Sequence, residues 1–339
     1  MSAGPNPLRR AILRGLAGAG ALPLAAFAQP PGAAGAANAW PAQPIVAVVP
    51  FAAGGSVDVA ARLVLPRLAE RLGQPVTVEN TVGASGTIAT QRVIKAHADG
   101  YTLLFGVASP ISVAPLVSPK VFKYDALKEL VPIAPVAASA FVLVGRPGLG
   151  AATTADLLRL VRAQPGRFNF GTDGVGTSLH LAAETIKLQA GLDMVHVPYK
   201  SGPQVLTELA GGQIDMAVLP VGLVQGFVRS GKAQAFGVTS RARWPGLPEV
   251  PSLSETPEFR GLDIEAWQGL LAPAGTDPAV VERIARETAT VLSEPQLVRQ
   301  LAEAGFRPMR MAPDRFAAYL ADERRSLAAV VAAARIGTD

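Results

Sequence analysis

The alternation of short apolar runs with helical periodicities constrains the fold more than any other feature of this sequence. The stripe over residues 57–72, for example, repeats apolar side chains at a helical spacing and places charged ones opposite them. Strands separated by helices favour an α/β fold with mostly parallel sheets, whose strands are buried on both faces and read as continuous apolar runs. The predicted strands are IVAVV (45–49), VTVE (76–79), TLLFG (102–106), FVLVG (141–145), FNFG (168–171), MVHV (194–197), DMAVLP (215–220), QAFGVT (234–239) and GLLAP (269–273). The remaining predicted helices cover 86–97, 154–163, 177–190, 203–211, 221–230, 278–292 and 313–333.

Two irregular segments predict where the chain crosses between domains. Residues 110–135 are rich in Pro, Lys and Val with weak periodicity, and residues 240–263 hold several prolines and no long helix. Crossings this far apart indicate one domain inserted into another. We therefore predict a first domain from residues 44–140 plus 241–339 and an inserted second domain from residues 141–240.

The N-terminus reads as an export signal. Arg9, Arg10 and Arg14 precede a short Ala/Gly-rich apolar run. Ala26-Phe27-Ala28 resembles the small-x-small pattern at which a signal peptide is cleaved. The arginine pair also resembles a twin-arginine signal, which leaves two export routes open. We predict a signal peptide over residues 1–28, cleaved near Ala28, a flexible lead-in over 29–43, and a periplasmic mature protein.

Charge and composition exclude several classes of function. Removing the three arginines of the signal lowers the formal net charge of the 339-residue chain from +5 to +2. A remainder with so little net charge and no basic cluster is a poor nucleic-acid binder. The sequence has no cysteine, so disulfides, thiolate metal sites and cysteine nucleophiles are excluded.

Three turns of very small residues follow predicted strands and open predicted helices. They are Ala52–Ser56, Gly83–Thr87 and Gly171–Ser178. Helix N-termini present unpaired N–H groups and partial positive charge, and small residues let the backbone approach a ligand. The first two turns fall in the first domain and the third in the inserted one, so together they could close around one anion. Tight turns alone would also explain the glycines. Neither a dinucleotide fingerprint nor a phosphate-binding P-loop is present.

These segments resemble the periplasmic solute receptors of tripartite tricarboxylate transporter systems, the Bug receptors. The matching pieces run in family order across nearly the whole mature chain: PFAAGGSVD (50–58), VEN (78–80), GASG (83–86), DGYTLL (99–104), GVGTSLHL (174–181), HVPYK (196–200), GGQID (211–215) and GLLAPAGT (269–276). The resemblance implies a two-domain periplasmic-binding clamshell, similar to type II, that closes on a small organic carboxylate and serves membrane transporter subunits. We expect a monomer that uses no cofactor and no metal.

The turns and the resemblance together predict the ligand-binding residues. In the family, the turn after the first strand and the turn that opens the inserted-domain helix hold carboxylate groups by backbone N–H groups, hydroxyls and waters. The predicted set is Phe51, Ala52, Ala53, Gly54, Gly55, Ser56, Asp58, Ser85, Ser109, Thr172, Gly174, Gly176, Thr177, Ser178 and Asp215.

The sequence departs from the family pattern at three places. Asp173 stands where the family usually has serine, and a carboxylate there would repel an anion unless it points away or caps a helix. Residues 107–111 lack an Asn-Pro pair that the family often carries, and Leu219-Pro220 replaces a Phe-Asp pair. Each departure could change the choice of ligand.

Other classes of function remain as alternatives. The same clamshell could report to a signalling partner, and the sequence does not separate that role from transport. A carboxylic ester hydrolase would need a nucleophilic serine, but no G-x-S-x-G elbow occurs. His180 and Glu184 have a helical spacing that could hold a metal, but no third ligand lies near them in sequence.

Overall fold

The computed structural model describes residue 1, residues 40–334 and residue 336. The predicted signal peptide, its cleavage site near Ala28 and most of the predicted lead-in lie outside the described residues. Of the last four residues of that lead-in, Trp40 and Pro41 pack against the fold, whereas Ala42 and Gln43 are exposed. Pro41 is buried, and the Trp40 ring lies 6.0 Å from that of Tyr101.

The helices and strands largely follow the predicted order. The strands are β1 (Ile45–Val49), β2 (Val76–Asn80), β3 (Thr102–Val107), β4 (Leu130–Gly145), β5 (Asn169–Thr172), β6 (Val195–Pro198), β7 (Met216–Pro220), β8 (Gln234–Val238), β9 (Glu265–Pro273) and β10 (Arg307–Pro308). The helices are α1 (Ser56–Leu72), α2 (Thr87–Ile94), α3 (Ala114–Val117), α4 (Ala126–Glu129), α5 (Thr154–Arg162), α6 (Ser178–Ala190), α7 (Gly202–Ala210), α8 (Val221–Arg229), α9 (Pro278–Val291), α10 (Pro295–Glu303) and α11 (Pro313–Ala334).

The strands form a continuous mixed sheet in the order β2-β1-β3-β9-β4-β7-β5-β6, with β8 and β10 also paired to β4. Parallel pairing, as predicted, joins β1 to β2 and β3, and joins β5 to β6 and β7. Every pair that involves β4 or β9 is antiparallel. These two strands are the long ones that connect the two parallel groups, which is why the sheet is less parallel than the strand–helix alternation predicts.

Part of the segment predicted as irregular, residues 110–135, is ordered. It contains the short helices α3 and α4 and the first half of the 16-residue strand β4. Prolines normally exclude a strand from the interior of a sheet. Here the pairing with β9 shifts register next to Pro132 and again next to Pro135, so each proline lies beside an irregularity of the ladder.

The apolar core is divided in the manner of a two-lobed fold. One cluster of buried side chains comes entirely from residues 140–262, and another comes from residues 45–137 and 270–306. A third cluster, from residues 48–138 and 267–320, also includes Leu181 of α6 and so joins side chains from both groups. The N-terminal ends of α1 and α6 lie in the cleft between the first two clusters. The domain boundaries near residues 140 and 240 remain a prediction. No helix in the described part of the chain is long and apolar enough to cross a membrane.

Candidate functional site

The N-terminal ends of three helices meet at a small cavity of about 80 Å³. The helices are α1, α6 and α7, which begin at Ser56, Ser178 and Gly202. First-turn N–H groups have no partner within their own helix, and each helix adds partial positive charge at this end. The cavity is lined by Phe51, Ala52, Gly55, Ser56, Val57, Val107, Ser109, Phe141, Asp173, Ser178, Leu179, Ser201, Gly202, Pro203, Pro220, Leu223, Ala266 and Gln268.

The turn before α1 is held in shape by Asp58. This side chain is 2% exposed, accepts the N–H of Gly54 at 2.9 Å and is bound by Arg62 and Asn80. Burial opposes ionisation, but those hydrogen bonds and the guanidinium outweigh it and lower the pKa of Asp58. Gly54 has a φ of +76°, a conformation that favours glycine. Asp58 therefore shapes the turn from behind and does not line the cavity.

The turn before α6 is fixed by its own hydroxyl and imidazole groups. The Thr177 hydroxyl donates to the carbonyl of Gly174 and accepts the N–H of His180. The N–H of Gly176 donates to Nδ1 of His180 at 3.2 Å, so this amide is already engaged. Thr172 is the last residue of β5 and is fully buried beneath the turn.

Two stacked histidines support this turn from below. The rings of His180 and His196 lie 4.0 Å apart, and Nε2 of His196 lies 2.7 Å from the Thr172 hydroxyl. Burial, with a smaller contribution from nearby positive charge, lowers the pKa of each imidazole to about 4. Both rings are therefore neutral near pH 7 and act as hydrogen-bonding packing groups.

Serine side chains connect the two sides of the cleft. The Ser85 hydroxyl donates to the carbonyl of Val175 at 2.7 Å. The Ser109 hydroxyl accepts the N–H of Ser178 at 2.9 Å, and the two serine hydroxyls lie 3.0 Å apart. The Ser85 contact joins the turn of residues 83–87 to the turn of residues 171–178, and the Ser109 contacts join residue 109 to the start of α6.

Two acceptor groups at the cavity have no hydrogen-bond partner. They are Oδ1 of Asp173, at the end of β5, and Oε1 of Gln268, on β9. Burial raises the pKa of Asp173 to about 6. Gln268 is 2% exposed, so nothing in the fold or in bulk water is positioned to satisfy its oxygen.

The predicted site residues fall into three groups. Those that line the cavity are Phe51, Ala52, Gly55, Ser56, Ser109 and Ser178. Those that belong to the surrounding turns without lining it are Ala53, Gly54, Asp58, Ser85, Thr172, Gly174, Gly176 and Thr177. The third group is Asp215 alone. It precedes the first residue of β7, at the end of the strand opposite the cavity-lining Pro220, and binds Arg146 and the backbone of Asn169.

The sequence analysis did not predict several lining residues. Ser201 could have been found, because it caps α7 with Pro203 in the first turn, a recognisable helix start. Phe141, Ala266 and Gln268 come from β4 and the connecting strand β9, and only the strand pairing brings them to the cavity. No cluster of three metal-ligating side chains occurs within the described residues, and Glu184, which lies 3.8 Å from His180, also pairs with Lys187 at 2.9 Å.

Comparison with known proteins identifies the family. The model of the tripartite tricarboxylate transporter family receptor matches residues 60–336. The chain is 35% identical to BugT of Bordetella pertussis over 298 residues, which cover 87% of this chain and 90% of BugT.

Solved structures show the same fold. The structure of R. palustris Rpa4515 with adipate superposes with a TM-score of 0.84 at 29% identity, covering 88% of this chain and 99% of that one. The periplasmic binding protein BugD superposes with a TM-score of 0.82 at 28% identity, covering 88% of this chain and 100% of BugD. The predicted two-lobed periplasmic-binding fold is thereby confirmed, and the chain belongs to the tripartite tricarboxylate transporter family of receptors.

Proposed function

We propose that this chain is a receptor that captures a small carboxylate in the cavity between its lobes and delivers it to a membrane transporter. The observation that carries the proposal is the meeting of three helix N-termini at one cavity with no Lys, Arg or His among its lining residues. Backbone N–H groups and helix dipoles hold an anion in such a place. The relative with adipate bound, which shares the fold, supports a carboxylate as the ligand.

Binding in this cavity would use the predicted residue Ser56 together with Val57, Leu179 and Ser201, which also line the cavity but were not predicted. Val59 donates the first intrahelical bond of α1 to Gly55, so the N–H groups of Ser56 and Val57 precede the helical ladder. Leu179 is the second residue of α6, as Val57 is of α1, so its N–H also precedes the helical ladder. The hydroxyls of Ser56 and Ser201 add donors whose hydrogens can rotate towards a ligand.

We propose a periplasmic location, a monomeric state and a transporter partner in line with the family. The basic and apolar N-terminal segment supports export. The location, the monomeric state and the partner rest on the family and on the N-terminal segment alone.

We propose that the chain is a receptor without catalytic activity. A serine hydrolase needs a histidine positioned to take the serine proton. Nδ1 of His180 accepts a backbone N–H, and Nε2 of His196 lies against the Thr172 hydroxyl. Neither of these hydrogen bonds is to a serine that lines the cavity. Incubation with carboxylic esters should give no turnover above the buffer rate, and turnover that is lost in Ser178→Ala would contradict the proposal.

A pair of substitutions in one turn tests the binding proposal. Ala52 lines the cavity, whereas its neighbour Ala53 is exposed and does not. Ala52→Leu should fill the space and abolish the thermal stabilisation that a bound carboxylate gives, about 2.7 kcal/mol at 100 times its Kd. Ala53→Leu is the matched control and should bind as the wild type does. Equal binding by both variants would place the ligand elsewhere.

A further inference from the structure

The cavity offers acceptors as well as donors. A lone carboxylate ligand would use the N–H groups at the helix starts but would leave Oδ1 of Asp173 and Oε1 of Gln268 unsatisfied. Unpartnered buried acceptors are unfavourable, and two of them lining one cavity indicate that a ligand supplies their hydrogen-bond donors.

The charge of the lining points to the same chemistry. Asp173 is the single ionisable side chain among the lining residues. A dicarboxylate would bring a second negative group towards it with no cationic side chain in the lining to offset the repulsion. An ammonium group would instead pair with Asp173 and donate up to three hydrogen bonds.

We propose that Asp173 and Gln268 select a ligand that carries an ammonium group together with its carboxylate. This inference rests on the proposed function, since the helix N-termini must hold the carboxylate end. The resulting ligand is a small zwitterion, whose opposite charges match the donors at the helix starts and the acceptors of Asp173, just after β5, and Gln268 on β9.

The protonation of Asp173 supports this selectivity. Its pKa is raised to about 6 by burial, so the carboxylate is mainly ionised at pH 7.5. His180, His196, Glu184 and Lys187 lie behind the turn, and no other titratable side chain lines the cavity. A proton competes with an ammonium ligand for Asp173, so affinity for the zwitterion should fall as the pH drops below about 6.

Matched ligands test the proposal in the full mature chain. β-Alanine and succinate share a two-carbon linker and differ by one ammonium in place of one carboxylate, and 4-aminobutanoate and glutarate form the equivalent three-carbon pair. Isothermal titration at pH 7.5 should show at least tenfold tighter binding of the ammonium member of a pair. Asp173→Asn should remove that preference, and Gln268→Met, which changes no charge, should reduce it.

The outcomes separate this inference from the proposed function. A wild type that prefers the dicarboxylates, or a preference unchanged in both variants, overturns the inference while the carboxylate receptor stands. Failure of every member of both pairs to bind the wild type overturns the inference and counts against the proposed function as well.

Discussion

Replacement of Gly222 by alanine should destabilise the protein by disrupting a contact between backbones. Gly222 lies in the first turn of α8, against the turn that follows α10. A Cβ placed on Gly222 would lie 2.0 Å from the carbonyl oxygen of Ala304, and one placed on Gly305 would lie 2.4 Å from the nitrogen of Gly222. Neither side can relieve the clash by rotating a side chain, because both contacting groups are backbone.

The magnitude follows from two opposing effects. Real Cβ atoms essentially never approach other atoms within 3.0 Å, so the two segments must separate by about 1 Å. Overpacking of this kind costs roughly 1–3 kcal/mol. Alanine in a helix gains about 0.5–1 kcal/mol over glycine. The two effects leave a net loss of up to about 2.5 kcal/mol in the free energy of unfolding.

Gly226 provides the matched control on the same helix. A Cβ on Gly226 would meet nothing within 4 Å. Gly226→Ala should leave the free energy of unfolding unchanged or raise it by about 0.5–1 kcal/mol. Urea unfolding of both variants gives the comparison. If Gly222→Ala is as stable as Gly226→Ala, the close backbone approach does not constrain the fold and the reasoning fails.

Three further predictions concern buried ionisable groups. Asp58→Ala should lower the free energy of unfolding by roughly 1–3 kcal/mol, measured by urea unfolding, because Gly54, Arg62 and Asn80 lose the buried carboxylate that accepts their hydrogen bonds. The pKa values of His180 and His196 are lowered to about 4, below the unfolded value of 6.5. The free energy of unfolding should therefore be highest above pH 6.5 and fall on acidification, by about 2 kcal/mol per histidine at pH 5. Thermal unfolding measured against pH should show a smaller loss of stability in His180→Gln. Burial raises the pKa of Glu323 from 4.5 to about 7 despite the Trp267 hydrogen bond, so the free energy of unfolding should fall as the pH rises from 4.5 to about 7, and Glu323→Gln should flatten melting temperatures over that range.

Most helices and strands could be predicted because their signals lie in residues that are neighbours in sequence. The apolar stripe of α1 and the capping box of α5, in which Thr153 and Asp156 bond each other's backbone, are written in neighbouring residues. The full length of β4 could not be predicted in the same way. Pro132 and Pro135 indicate an irregular segment, and only pairing with β9 shows that the ladder shifts around them.

Some residues of the candidate site also had a local signal in the sequence, and others did not. Small residues between a strand and a helix predicted the two turns that frame the cavity. Gln268 gave no local signal, because its importance comes from an oxygen left unpartnered where β9 passes the cavity. Asp173 was visible in the sequence as a departure from the family pattern, but its burial and its missing partner required the structure.

The glycines of the two turns have a different role from the one that their position in sequence suggests. The N–H groups of Gly54 and Gly176 are already engaged, by Asp58 and His180. Both residues have positive φ, +76° and +70°, so a side chain would strain either turn whether or not it touched a ligand. Loss of binding on substituting them would therefore report the shape of the turn. Only changes at lining positions such as Ala52 separate ligand contact from backbone conformation.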